Sequence, residues 1–288
     1  MYTRHYGLRE KPFSLTPDPR YLYLSTSHRE ALAHLLYGIE QGEGFIAVTG
    51  EVGTGKTTLC RTLLERLSPD AEVAYLFNPR LTGTEILEAI HRELELPCDG
   101  TRAQLLDRLN RFLLDASREG RRVLLLVDEA QNLPVDTLEE LRLLSNLETS
   151  TEKLLQIVLF GQPELDALLD SPDLRQLRQR IGVRWRLDPL SAPEAGDYVR
   201  HRLRIAAGID ADLFTPGALR ELRRRSRGVP RLVNLLADRA LLAGYADGSV
   251  RVERAHVGRA AREILRARER RRGRVHPRWR MFAGKRSE

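Results

Sequence analysis

The run FIAVTGEVGTGKTT, residues 45–58, passes from apolar to glycine-rich to basic. Phe45 to Thr49 has the apolar, partly β-branched makeup of a buried strand. Gly50, Gly53 and Gly55 then supply backbone freedom that a Cβ forbids, and Lys56 and Thr57 open a helix. Gly50, Gly55, Lys56 and Thr57 meet the spacing G-x-x-x-x-G-K-T, in the strand, loop, helix order of a phosphate-binding loop. The loop Gly50, Glu51, Val52, Gly53, Thr54, Gly55, Lys56, Thr57 and Thr58 is therefore the expected cradle for a triphosphate. Its backbone N–H groups and the positive helix end would face the phosphates.

A second anchor lies downstream. In RVLLLVDEA, residues 122–130, the apolar residues Leu124 to Val127 describe a central parallel strand that delivers Asp128 and Glu129 at its C-terminal end. Acids also occur at strand boundaries for no chemical reason. Beside a P-loop, however, Asp128 is placed to hold magnesium through its water shell, and Glu129 to orient and polarise the water that attacks the γ-phosphate. The chemistry needs both a cation to neutralise charge and a carboxylate to position the nucleophile.

Leu154 to Phe160 reads as a further strand, followed by Gln162 where a neighbouring strand would bring an amide near the two acids. Gln162 would sense the γ-phosphate or hold the attacking water, or else is a helix-start residue beside Pro163. Arg175, Arg178 and Arg180 precede a strand at Val183 to Leu187. They form a solvated face, or supply an arginine to a neighbouring subunit's site, with Arg180 the first choice and Arg178 the second.

Composition sets the frame for these motifs. With 288 residues, 42% hydrophobic and 30% charged, the chain is long enough for one large core or two domains of ordinary globular makeup. Cys60 and Cys98 are too few for a disulfide framework or a zinc site, which suits a reducing cytosol. No apolar run approaches the ~20 residues that span a bilayer, and MYTRHYGLREKPF lacks the apolar centre of a signal peptide. The expected location is cytoplasmic, either free or peripheral at the inner membrane. The net charge of +7 is unevenly placed: residues 251–288 hold 14 Lys and Arg against 4 Asp and Glu, the rest 33 against 36. Such a tail suggests nucleic acid or an anionic lipid surface as partner, or is simply a solvated helix end.

Residues 7–26 are dense in proline and carry Phe13, Tyr21 and Tyr23, so they read as an ordered, extended arm, either covering a nucleotide base or bracing the body. Ser27 to Glu30 has capping-box spacing, and the helix it opens ends at Gly42. Between the P-loop and Asp128 lie a strand from Ala71 to Asn78 and helices near 84–94 and 101–118; a helix over 135–147 follows. From Ser191, itself in a second capping box with Glu194, the pattern turns wholly helical, with segments to about 207, over 215–226 and 230–246, and from 253 to about 272. Arg231 lies in the first turn of the third, where a hinged lid would place it on a bound triphosphate. The expected architecture is α/β, a parallel-sheet P-loop NTPase core with a small helical C-terminal lid. Its parts are an arm and capping helix belonging to the core (1–42), the ATPase core (43–190), the lid (191–272) and a basic tail expected to be disordered (273–288).

In order and spacing, GEVGTGKTT, LLLVDEAQN, IVLFGQPEL, LRQLRQRI and GVPRLVNLL resemble an AAA+ ATPase. GLREKPFSLTPDPRYLYLSTSHREAL and LRLLSNLET narrow the resemblance to the general secretion pathway protein A family, also called ExeA-like ATPases. The resemblance implies roles residue by residue. Lys56 and Thr57 match the Walker A lysine and magnesium-binding hydroxyl, Asp128 and Glu129 the Walker B pair, Gln162 sensor 1 and Arg231 sensor 2. Arg180 or Arg178 matches the finger, and Asn78 the polar residue that can hold the catalytic glutamate inactive. It further implies ATP and Mg2+ as cofactors, a homo-oligomer with shared active sites and an inner-membrane assembly partner for a secretion or pilus machine. Longer members continue into a membrane-spanning segment and a peptidoglycan-binding domain, neither found within these 288 residues. The same core also resembles transposition-regulator ATPases that assemble on DNA. The readings are thus an envelope assembly ATPase, a DNA-associated regulator, and a nucleotide-gated switch with little turnover.

Overall fold

The computed structural model describes residues 1–16, 18–77, 80–149, 152–208 and 212–273. Along the chain the elements are α1 (Tyr2–His5), α2 (Thr26–Glu40), β1 (Phe45–Gly50), α3 (Lys56–Arg66), β2 (Glu72–Phe77), α4 (Gly83–Glu93), α5 (Arg102–Arg118) and β3 (Val123–Asp128). There follow α6 (Val135–Leu144), β4 (Gln156–Gly161), α7 (Pro163–Leu169), α8 (Arg175–Arg178), β5 (Ile181–Leu187), α9 (Ala192–Ala207), α10 (Pro216–Ser226), α11 (Pro230–Ala246) and α12 (Arg254–Gly273). The chain divides into two compact units, Leu24–Leu190 and, as the other, Met1–Tyr23 with Ser191 onward.

In the first unit the five strands pair in parallel in the order β2-β3-β4-β1-β5. The central strands β1, β3 and β4 are buried at every position, which is why their sequences are continuously apolar and not alternating. The edge strands β2 and β5 alternate in exposure. Successive side chains of the central strands go to opposite faces. Ile46, Val48, Leu124, Leu126, Val158 and Phe160 pack with α2 and α3, while Phe45, Ala47, Leu125, Val127, Ile157 and Leu159 pack with α4, α5, α6 and α7. Because β4 lies between β3 and β1, with Val127 level with Leu159 and Thr49 level with Gly161, three strand ends converge on one edge. They carry the P-loop, the acid pair and Gln162. Leu125→Ala, at a position with no exposed surface, should cost about 2–5 kcal/mol through lost burial and an unfilled cavity; urea denaturation at constant m-value measures it.

Helix starts agree with cap chemistry more closely than with sequence spacing. Ser191 and Glu194 form the reciprocal capping box of α9, and Thr101 and Gln104 form another at α5. At α2 the cap is Ser25, whose hydroxyl accepts the His28 backbone N–H, and not Ser27. Ser27 lies within the helix, and its hydroxyl instead accepts the backbone N–H of Asp188 at 2.9 Å. The segment that carries Arg175, Arg178 and Arg180 follows a 3-10 turn, Pro172–Leu174, and opens with the single turn α8, and β5 begins at Ile181, ahead of the expected Val183.

The second unit gathers α9 to α12, and with them the N-terminal arm. Residues 1–23 thus fall with the helices and not with the ATPase core to which the sequence reading assigned them. The reason is a buried arginine. Arg202 of α9, 6% exposed, donates to the carbonyls of Pro12 and Ser14 at 2.5 and 3.4 Å and lies 4.5 Å over the Tyr21 ring. Phe13 meets Phe214 edge to face at 6.0 Å, and Tyr2 donates to Asp238 of α11. The arm therefore satisfies a buried cation and fills an aromatic gap, which composition alone could not reveal. Of the basic tail, residues 274–288 lie outside the described residues. Among those described, no helix is long and apolar enough to cross a membrane.

Candidate active site

The P-loop follows β1 and is held open by backbone geometry. Gly53 and Gly55 adopt φ of 84° and 110°, where a Cβ is strained. A Cβ on Gly55 would in addition lie 2.6 Å from Nε2 of His28, which is buried behind the loop. Thr54 turns inward and donates to the carbonyl of Glu51 at 2.9 Å. Lys56 is 5% exposed, and its ammonium donates to the carbonyls of Gly50 at 2.7 Å and Glu51 at 3.2 Å. Burial lowers the Lys56 amine below its ordinary value, against the opposing pull of Glu129, Asp128, Glu51 and Glu164. A desolvated ammonium ringed by neutral carbonyls suits phosphate oxygens, which are stronger acceptors for it. Glu51, Val52 and Thr58 are exposed along the same loop.

Asp128 at the end of β3 is fully buried. Its Oδ2 accepts from the Thr57 hydroxyl at 2.9 Å and the Tyr75 hydroxyl at 3.4 Å, and its Oδ1 accepts the Glu129 backbone N–H at 2.9 Å. These donors compensate a charge taken out of water. Thr57 and Asp128 offer only oxygens, the donor set a hard cation such as Mg2+ takes, so the residues fit that ion. Behind them burial, reinforced by the Asp128 charge, pushes the Cys60 thiol up to about 12, so Cys60 is packing and not a nucleophile at neutral pH.

Glu129 stands in the left-handed region at φ 57°, ψ 38°, a conformation costing about 1–2 kcal/mol for a residue with a side chain. Its carboxylate is held from two sides. Gln131 Nε2 donates to Glu129 Oε2 at 2.6 Å and Gln162 Nε2 to the same oxygen at 2.7 Å. The structure thus brings together Lys56, Thr57, Asp128, Glu129 and Gln162 from three strand ends.

The arginines differ in setting. Arg180 is half-buried and donates to Ser145 Oγ at 3.1 Å and to Asn146 Oδ1 beyond the end of α6. Arg178 is exposed, 4.0 Å from Asp170. Arg231 is exposed on the first turn of α11, in the helical unit. Asn78 lies outside the described residues.

Residues 39–169 match the AAA domain family model. Over 266 residues, 92% of this chain, the sequence is 51% identical to general secretion pathway protein A of Aeromonas hydrophila, and the match covers 48% of that protein. The chain contains an AAA domain and is similar in sequence to general secretion pathway protein A. It spans about half the length of that relative. Among solved structures the fold is similar to the ORC2 protein of Aeropyrum pernix in its ADPNP-ADP complexes, with 20% identity, a TM-score of 0.63 and coverage of 88% of this chain and 71% of that one. It is also similar to the ORC1 protein of the same organism in complex with DNA, with 22% identity, a TM-score of 0.64 and coverage of 94% and 74%. At these identities the likeness is one of fold, the AAA+ P-loop NTPase fold.

Residues of this AAA site that sequence reading passed over are Tyr75, which reaches Asp128 from the adjacent strand, and Gln131. Tyr75 has no local signal, because only the pairing of β2 with β3 places it. Gln131 had one, its position two residues after Glu129 in DEAQN, but a glutamine there gains meaning only when its partners are known.

Proposed function

We propose that this chain is a magnesium-dependent AAA+ ATPase that oligomerises and uses ATP turnover to assist assembly of an envelope secretion or pilus system. The observation that carries the enzymatic part is the convergence of Lys56, Thr57, Asp128, Glu129 and Gln162 on one edge of the sheet. The 51% identity to a protein named for general secretion supports the assembly role.

In this reading the loop N–H groups and the Lys56 ammonium bind and orient the β- and γ-phosphates. Thr57 and Asp128 would hold the magnesium ion, which when bound neutralises charge on the phosphates. Glu129 accepts a hydrogen bond from the attacking water and draws its proton away, while the Gln162 amide orients that water or the γ-phosphate. Arg180 serves a neighbouring subunit as the finger, and Arg231 is the proposed sensor 2 cation. The proposed location is cytoplasmic, peripheral at the inner membrane.

The test is phosphate release from ATP at increasing protein concentration, with and without magnesium. The expected result is magnesium-dependent turnover that rises more than linearly with protein. ATP binding without measurable turnover would leave the nucleotide switch instead. A DNA-stimulated rate, abolished by moderate salt, would favour the DNA-associated reading, which the 14 basic residues of 251–288 support. Lys56→Met keeps the aliphatic stem and removes the ammonium. It should weaken binding of a fluorescent ATP analogue by roughly 30- to 150-fold, the worth of a charge-assisted contact of about 2–3 kcal/mol.

A further inference from the structure

Gln131 bridges Glu129 and Gln162 with one hydrogen bond to each. Its Nε2 donates to Glu129 Oε2 at 2.6 Å, and its Oε1 accepts the backbone N–H of Gln162 at 3.0 Å. The orientation of the amide is dictated by chemistry, since a carboxylate only accepts and a backbone N–H only donates. Gln162 completes the ring by donating its own Nε2 to Glu129 Oε2 at 2.7 Å. The surroundings are shaped for this contact. Gln131 sits in the 3-10 turn Ala130–Asn132, which begins directly after the left-handed Glu129. A Cβ on Gly161 would lie 2.5 Å from Leu165 and 3.1 Å from Gln131 Oε1, so any larger residue there would crowd the bridge.

From this ring we infer that Gln131 is the positioning residue for Glu129, holding the carboxylate in its strained left-handed setting when Gln162 turns its side chain toward substrate. The inference rests on the ATPase reading above. The two amides have different freedom: Gln131 is tied at both ends, whereas among the described residues the Gln162 side chain is tied only to Glu129. If Gln162 swings to a γ-phosphate oxygen, Glu129 loses one donor and keeps the other. Its carboxylate then remains aimed and is free on one more lone pair to accept from water.

The test compares Gln131→Ala and Gln131→Glu with the unaltered chain for phosphate release, affinity for a fluorescent non-hydrolysable ATP analogue, and melting temperature. Gln131→Ala should lower kcat roughly 10- to 100-fold, the scale of a misplaced catalytic group, with KM and analogue affinity within about twofold. Gln131→Glu, the closest match in shape, should lower kcat further, because it removes the donor and sets an acceptor against an acceptor. A space-filling role predicts the opposite order, with glutamate tolerated better than alanine. Near-normal kcat in Gln131→Glu, or a loss that appears wholly in KM, would overturn the inference. If the unaltered chain hydrolyses ATP and Glu129→Gln abolishes it while both Gln131 variants match the unaltered rate, this inference alone fails. If the unaltered chain does not hydrolyse ATP, both fail together.

Discussion

Glu129→Gln is expected to abolish turnover while leaving ATP bound. The substitution keeps the shape of the side chain, and its amide oxygen still accepts from Gln131 and Gln162 as Oε2 of Glu129 does now, at 2.6 and 2.7 Å. Backbone strain is unchanged, since glutamine meets the same φ of 57° that glutamate does. What disappears is the negative charge that draws a proton from water. The expected loss in kcat is roughly 10³-fold, within the span general bases contribute, with affinity for a fluorescent ATP analogue and the melting temperature nearly constant. Unchanged hydrolysis would remove Glu129 from the role of base.

Arg180→Ala is the second large effect, and its test separates action within a subunit from action on a neighbour. Arg180 immediately precedes β5 and reaches Ser145 and Asn146 just past α6. Part of its role is therefore to tie an edge strand to a helix end. An arginine finger supplied to a neighbouring site is worth roughly 10³-fold or more in kcat, whereas losing these neutral hydrogen bonds would show as about 1–2 kcal/mol of stability. Arg178→Ala, which removes only an exposed arginine 4.0 Å from Asp170, is the control expected to change little. Mixing is decisive. Arg180→Ala and Glu129→Gln chains, each inactive alone, should recover activity together, because a site pairing Glu129 of one with Arg180 of the other is complete. Intact mixed oligomers with no recovery would show that Arg180 does not act across subunits.

The P-loop unit of the molecule was far more legible than the helical unit. A P-loop must be glycine-rich because its backbone surrounds an anion, and a buried central strand must be apolar on both faces. FIAVTGEVGTGKTT and LLLVDEA therefore announce themselves. Gln162 was legible by its place after a strand, and the structure sets its amide 2.7 Å from Glu129. Cap positions were less certain, because Ser25 and Ser27 offer the same hydroxyl and only the backbone entering α2 tells which accepts the helix N–H. The arm was legible as ordered but not as to where it packs, since its anchor is Arg202, nearly two hundred residues away.

By itself, then, the sequence determined which residue types the loop and the strand ends offer, because these stand at short spacings within one loop or one strand end. It determined as well the alternation of strands and helices and the change to helices alone at Ser191. Only the tertiary structure decided the strand order that inserts β4 between β1 and β3, and with it the meeting of Gln131, Gln162 and Glu129. It also decided that Tyr75 and Thr57 share one oxygen of Asp128, and that the first 23 residues belong with the helices. These are pairings between distant segments, set by packing and by the need to satisfy buried polar groups, and no local pattern encodes them.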